Sequence, residues 1–414
     1  MRYYKIVLAD PATGQTIVQS NGVPGEDGFI YSTESTGTAA TWTSLNVGAN
    51  IHAIGGANPN AQAVELDLTV APLHAPDAKA KPFVKIFGVS LQQIGSAANL
   101  NGKFIGVWGG MSAGLPLANP GQAGLLVAGQ VQQCIGNWIG TEQSLCLYVT
   151  AGGSGVSYAQ ASANLVNGQP VIAPVTATSP ANLVFQWVKG QRLIDALTIT
   201  LQTAFPQLSI AGTINNGLVW SAAVPKTGYF QTLQQLAQFV HETSIAVLAG
   251  PTPANDTYGG TVDAYQGVVM TLQGGIITIY DSSTQSAPKQ IGFFDMVGQP
   301  TWGEPGKVQL TTVLRGDIGV GDYVQLPPTT GVTLGGANSW AGVNPFNSVT
   351  QNTSTFTGVY LVTRVRHVGN SRSPHGAGWV TVFELAFAQP SQSPQTSKPL
   401  IYKASGNNSF GFVV

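Results

Sequence analysis

Residues 64–70 read Val-Glu-Leu-Asp-Leu-Thr-Val, and this alternation constrains the fold more than any other stretch of the chain. Val64, Leu66, Leu68 and Val70 fall on one face, and Glu65, Asp67 and Thr69 on the other. Successive side chains of an extended backbone point to opposite faces, so period-two patterning marks a half-buried strand. Phe83–Val89, Lys103–Trp108 and Leu145–Thr150 are further strand candidates, punctuated by Gly and Asn. The β signal returns from Val268 onward. Val268–Leu272 and Ile276–Tyr280 flank Gly274-Gly275, a two-residue hairpin signal. Lys307–Leu314, Tyr323–Leu326, Val359–Val368 and Trp379–Phe387 predict four more strands.

Between these β regions the period changes. Within 191–205, Leu193, Ile194, Leu197, Leu201, Ala204 and Phe205 recur at three- and four-residue steps, and Pro206 ends the run. Thr227 reads as the N-cap of a second helix over 227–242, with Phe230, Leu233, Leu236, Ala237 and Val240 as its apolar stripe. The polar faces of both are built from Gln and Thr.

The connections differ in character. Residues 71–82 read Ala-Pro-Leu-His-Ala-Pro-Asp-Ala-Lys-Ala-Lys-Pro, and proline cannot continue a strand ladder, so this is an extended loop. Loops of this length without structure are usually functional. Residues 151–180 are rich in Gly, Ser, Ala and Pro and read as a linker or surface excursion. Residues 327–357 read as a long loop, and the Ser/Gln-rich chain after Pro390 as a loosely held tail. The expected architecture is mainly β with a smaller α+β part. A β domain covers 1–150, the linker 151–180, a small α+β domain 181–290, a second β domain 291–390 and the tail 391–414. No repeat relates the two β parts.

Composition narrows the function classes. The chain has 17 Lys and Arg and 18 Asp and Glu, so 8% of its residues are charged, against about 25% in an ordinary soluble protein. Hydrophobic residues make up 43%, which is ordinary. A disordered polyelectrolyte and a coiled coil are both excluded. The net charge of -1 lacks the basic surplus of a free-standing nucleic-acid binder. A chain this long buries about three quarters of its unfolded surface. A surface with so little charge does little to repel its copies, and reads as one covered by neighbours. The apolar run Ile6-Val7-Leu8-Ala9 is shorter than the about 7–15 residues of a signal peptide. No run approaches the about 18 apolar residues of a spanning helix, so no membrane insertion is expected. Cys134 and Cys146 are too few for a disulfide scaffold, and whether they pair is left open. A reducing site of synthesis is the default.

A search for chemistry finds no catalytic, cofactor-binding or metal site. His241-Glu242 begins like a zinc-protease helix, but Ile245 stands where the second histidine belongs. The cysteines lack CxxC spacing. Gly152-Gly153-Ser154-Gly155-Val156 fails as a nucleophile elbow at Val156. Gly106, Gly109, Gly110 and Gly114 make no dinucleotide fingerprint, and neither Gly102-Lys103 nor Gly306-Lys307 makes a P-loop. Glu65 and Asp67 share a strand face, more in the manner of a solvated face than of an acid/base pair. Arg315-Gly316-Asp317 spells an adhesion tripeptide, and a Gly/Asp turn between strands explains it. Arg364, Arg366 and His367, followed by Arg372 and His375, form the basic cluster. Arg364 and Arg366 alternate with Val365, so both leave one strand face, toward an acidic partner subunit, toward nucleic acid, or toward Glu384 across a hairpin. Trp42, Trp108, Trp138, Trp302 and Trp379 are scattered, as for core or interface packing.

Two stretches together carry a resemblance. The first runs from Phe83-Val84-Lys85-Ile86-Phe87-Gly88-Val89-Ser90-Leu91-Gln92-Gln93-Ile94 through Gly109-Gly110-Met111 and Gly114-Leu115-Pro116-Leu117-Ala118-Asn119-Pro120 to Gly136-Asn137-Trp138. The second comprises Gly298-Gln299-Pro300-Thr301-Trp302, Leu314-Arg315-Gly316-Asp317-Ile318, Gly321-Asp322, Gly358-Val359-Tyr360-Leu361-Val362 and Arg366-His367. This pattern resembles the baseplate hub (tail hub) proteins of tailed bacteriophages and covers most of the chain. The resemblance implies a non-enzymatic homotrimer whose chains each carry two tube-like β-barrel domains plus a small helix-containing domain. Such a ring joins the sixfold tail tube protein to a threefold central spike protein and contacts other baseplate subunits. DNA passes through its channel without specific binding. The chain would reside in the virion baseplate, and in host cytoplasm during assembly. The hub part of a type VI secretion or tailocin spike is an alternative, as is a receptor-binding or cell-wall-acting tail protein. In this setting the loop residues Leu73, His74, Asp77, Lys79 and Lys81, with Arg364 and Arg366, are the expected interface residues.

Overall fold

A computed structural model describes residues 1–10, 15–19, 29–32, 39–46, 49–75, 82–114, 118–151, 165–166, 169–170, 183–205, 208–249, 265–273, 276–282, 286–304, 307–327, 356, 358–373, 378–388 and 400–403. The fold is mainly β, with large antiparallel sheets and three α-helices among those residues.

The alternating segment behaves as its pattern dictates. Val64–Val70 is a strand whose four apolar residues are fully buried, while Glu65, Asp67 and Thr69 are only partly covered. It lies near the middle of a 13-stranded sheet. On one side follow Phe83–Phe87, Glu142–Ala151, Gly124–Ile139, Phe104–Met111, Arg2–Ala9 and Trp42–Thr43. On its other side it pairs with Gly358–Asn370, with Val70 opposite Val365 and Leu68 opposite His367. Beyond lie Trp379–Phe387, Lys307–Val313 and Thr301–Glu304. Tyr323–Leu326 also pairs with Gly358–Asn370, and Lys289–Gln290 runs parallel to it.

The two β regions are therefore parts of one hydrogen-bonded sheet. No closed barrel is formed among the described residues, where the path ends at Thr301–Glu304 and Trp42–Thr43. The interior is nevertheless divided. One apolar cluster is drawn mainly from 4–149, a second mainly from 183–279, and a third mainly from 291–385. Leu314 and Trp379 cross into the first cluster, Leu73 into the second and Val70 into the third.

The helices follow their sequence in part, and the first of them packs on the Gly124–Ile139 and Glu142–Ala151 strands of the first β region. Helix α1 (Leu91–Gly95) is a single capped turn, with Ser90 and Gln93 forming a capping box. Helix α2 (Leu193–Ala204) buries Leu193, Ala196, Leu197, Thr200 and Leu201. Helix α3 spans Leu233–Ala249, so the expected start at Thr227 is corrected. Lys226–Phe230 is a strand paired with Leu183–Trp187, and Thr227 lies opposite Gln186. Thr232 is the residue whose hydroxyl accepts from Gln235 N–H at the helix start. Thr227, Tyr229 and Phe230 favour extended backbone, and a paired strand satisfies it; the three-residue step from Phe230 to Leu233 only imitates helical spacing.

Val269–Gln273 and Ile276–Tyr280 form the expected antiparallel pair, while Gly274 and Gly275 lie outside the described residues. Within the expected loose tail, Leu400–Tyr402 pairs with Ser209–Thr213 and so joins a four-stranded sheet with that hairpin. Within 151–180, Leu165–Val166 pairs with Gln169–Pro170. Most of that segment, and nearly all of 327–357, lies outside the described residues.

Candidate assembly surface

The basic cluster sits where the two β regions join. Arg366 meets Asp67 fork to fork, with Nε and Nη2 2.8 and 2.6 Å from the two carboxylate oxygens. Arg364 faces Glu384 across the Trp379–Phe387 strand at 3.5 Å, and Glu384 also holds Lys307 at 3.0 Å. Both arginines are thus satisfied within the chain, yet both stay accessible at the surface. His367 points the other way and is fully buried, 2.9 Å from Thr381 Oγ1. Burial lowers its pKa to about 3 and keeps the ring neutral. Arg372 donates to Ala61 O, and His375 lies outside the described residues.

A second polar knot locks the same junction. Arg315 is only 3% exposed. Its Nε and Nη2 donate to both carboxylate oxygens of Asp317 at 2.8 and 2.7 Å, and Nη1 reaches Asp295 at 3.2 Å. Asp295 also accepts from Gln122 Nε2, and Gly316 N–H donates to Gln122 O, both at 2.9 Å. Gly124 and Gly316 pack so closely that an added Cβ on Gly124 would lie 2.7 Å from Gly316 O. The Arg-Gly-Asp tripeptide is therefore an internal turn whose charges are used inside the molecule.

The expected interface loop is pinned at its start. Leu73 is buried in the helix-containing region, and its N–H donates to Met270 O at 2.8 Å. His74 stacks on His241 with centroids 4.0 Å apart. Asp77, Lys79 and Lys81 lie outside the described residues.

Unsatisfied apolar surface lies elsewhere. Gly124–Ile139 and Glu142–Ala151 form a long hairpin that turns through Gly140 at φ +60°. At its tip Trp138 is 62% and Ile139 73% exposed. The indole is held in place by a 2.9 Å bond from Nε1 to Gly140 O. No charged residue occurs from Cys134 to Thr141. The second surface is the outer face of the Leu183–Trp187 and Lys226–Phe230 ribbon. Leu183, Phe185 and Trp187 point into the core, so Val184 faces outward opposite Tyr229. Exposed Ile199 of α2 extends this face. A groove of about 440 Å³ runs between ribbon and helix, lined by uncharged residues that include Val184, Val188, Ile199 and Thr203.

Of the tryptophans singled out in the sequence, Trp42 and Trp379 are core residues, and Trp108 lies under the Lys5 ammonium. Trp138 and Trp302 are solvent-facing. The ribbon and its groove were not read from the sequence. Their signal is the alternation Leu183, Phe185, Trp187 against Val184 and Gln186, in which an apolar residue occupies an outward position.

Among the described residues, no group of three or more His, Cys, Asp or Glu side chains is placed to hold a metal ion. Cys134 and Cys146 are free thiols on neighbouring strands. Burial, and then the nearby Cys146, push the Cys134 pKa up to about 12. Among the same residues no helix is long and apolar enough to cross a membrane, which says nothing of strands.

The class defined so far is a mainly β protein with a shared sheet, a helix-containing region and exposed apolar side chains at a hairpin tip and on a ribbon face. No protein-family model matches the chain, and no curated protein matches it. Solved structures similar to it include two tail proteins. One is the tail protein from Neisseria meningitidis MC58, at 11% identity and a TM-score of 0.38, covering 78% of this chain and 95% of that one. The other is the 43 kDa tail protein of prophage MuSo2 from Shewanella oneidensis, at 9% identity and a TM-score of 0.39, covering 92% and 98%.

Proposed function

We propose that this chain is a non-enzymatic structural subunit of a phage tail, acting as a trimeric baseplate hub between tail tube and central spike. The supporting observation is the distribution of apolar and charged groups. Ion pairs such as Arg315 with Asp295 and Asp317, and Arg366 with Asp67, are made inside the chain. The hairpin tip exposes Trp138 and Ile139, with Glu142 opposite Ile139 and paired with Lys85, and the ribbon face exposes Val184 and Tyr229 beside Gln186 and Thr227. Covering such surfaces removes apolar area from water while desolvating few charges, each of which costs several kcal/mol. Heterologous contacts that close a ring use surfaces of this kind without leaving sheet edges open. Each chain would supply two tube-like β domains, and the scarcity of Lys and Arg suits a channel that lets DNA pass.

The test is a double substitution at the tip, Trp138→Ser with Ile139→Ser. Both side chains are already in solvent, so the melting temperature should stay within about 2–4 °C of the parent. Assembly with tube and spike proteins in a co-purification should fall at least tenfold. Undiminished assembly would remove the hairpin tip from the proposal.

A further inference from the structure

The loop that leaves Val64–Val70 is fastened to the helix-containing region at one described point. Leu73 is, among the described residues, the one contribution of the first 150 residues to that region's buried cluster. Its N–H donates to Met270 O. The next residue, His74, lies flat on His241 of α3, with the ring planes 9° from parallel. His241 is itself held firmly. Its Nδ1 is 3.1 Å from Val268 O, and Val268 N–H donates to Ser244 Oγ at 2.8 Å. Gly267, at φ +85°, approaches so closely that an added Cβ would lie 2.8 Å from His241 Nδ1. His74 Nδ1 is buried and has no hydrogen-bond partner.

We propose that the stacked His74–His241 pair is an acid-released latch that holds the 71–75 strap, and through it the first β region, against the helix-containing region. A neutral His74 ring packs face to face on His241, and its orphaned Nδ1 is tolerable as an unprotonated nitrogen. A proton there creates a donor with nothing to receive it, on a ring stacked 4.0 Å from its neighbour and out of reach of a compensating carboxylate among the described residues. The surrounding groups offer no rescue. Glu242 on α3 accepts from Gln238, and Tyr265 and Asp281 from the adjoining segment bond to each other at 3.0 Å. Asp77 and Lys79 of the strap lie outside the described residues. Among the described residues, neither ring has a carboxylate partner.

Burial, and then the neighbouring His241, lower the His74 pKa from 6.5 to about 4. The released ring therefore binds a proton more tightly than the docked one. Docking is fully favoured above pH 6.5 and weakens as the pH falls toward 4. With these two values the docking constant drops about 30-fold between pH 8 and pH 5. His367 weakens the whole fold in acid in the same sense, so the readout must be local.

The experiment is hydrogen exchange on the full chain at pH 8 and pH 5, corrected for intrinsic rates, with core strand amides such as Leu66 as the internal reference. The Leu73 amide should lose about 30-fold protection relative to that reference. His74→Phe keeps a flat ring without a titrating group and should abolish the response. His74→Ala should leave the strap open at both pH values. An NMR titration of the His74 ring in the unmodified chain gives a second reading that does not depend on the variants folding, with an expected midpoint well below 6.5. Protection unchanged by pH, an equal response in His74→Phe, or a midpoint near 6.5 would overturn the latch.

Discussion

Arg315 shows how this chain uses its few charges. Its guanidinium is buried and shared between Asp295 and Asp317, and Gln122 extends the network to the strand that follows it. Removing one partner of a buried ion pair leaves its carboxylates uncompensated, at a cost of about 3–5 kcal/mol. Arg315→Ala should therefore lower unfolding stability by about that amount in urea titration. Arg366→Ala, which breaks an accessible pair with Asp67, should cost no more than about 1 kcal/mol. Equal losses from the two would show that burial does not set their worth. The sequence made the Arg315-Gly316-Asp317 turn legible, because Gly and Asp between apolar strands have few other uses. It did not show that Asp295, 20 residues away, completes the site. The same holds for Arg366: its strand alternation is local information, and its pairing with Asp67 spans 299 residues.

At the scale of elements, strands with clean alternation were readable, as was the four-residue Tyr323–Leu326, whereas the long strands Arg2–Ala9 and Gly124–Ile139, whose apolar residues do not alternate cleanly, were not. Trp379–Phe387 has the bounds its residues predict, and Val64–Val70 buries the face its pattern selects. Such strands carry their own signal because each apolar residue has a fixed side to fill. Leu68 sits in the first cluster with no exposure, so Leu68→Ala should destabilise by about 2–5 kcal/mol in equilibrium unfolding. A loss below about 1 kcal/mol would mean that the sheet does not pack there as described. Lys226–Phe230 was mistaken for helix because five residues are too few to separate the two periods. Leu400–Tyr402 was missed because its only argument for being a strand is a distant partner, Ile210 and Ala211, that no local pattern announces.

For the whole molecule, one sheet ties two β regions of different sequence, and a third region of two α-helices and short sheets joins them through contacts that include Leu73 and His74. The mainly β class and its smaller α+β part were legible in the composition and periodicity. The junction was not, since the pairing of Val64–Val70 with Gly358–Asn370 links residues some three hundred positions apart. The outer surfaces were legible only as a shortage of charge, which composition gives without a location. The structure shows exposed apolar side chains that include Trp138 and Ile139 at a hairpin tip and Val184 and Tyr229 on a ribbon face.

On the proposed function, the chain should not stay alone. Native mass spectrometry of the purified chain, with and without tail-tube protein, puts that claim to the most direct test. A threefold species that takes up tube protein is the expected result. A monomer that persists at high concentration and ignores the tube protein would contradict the account.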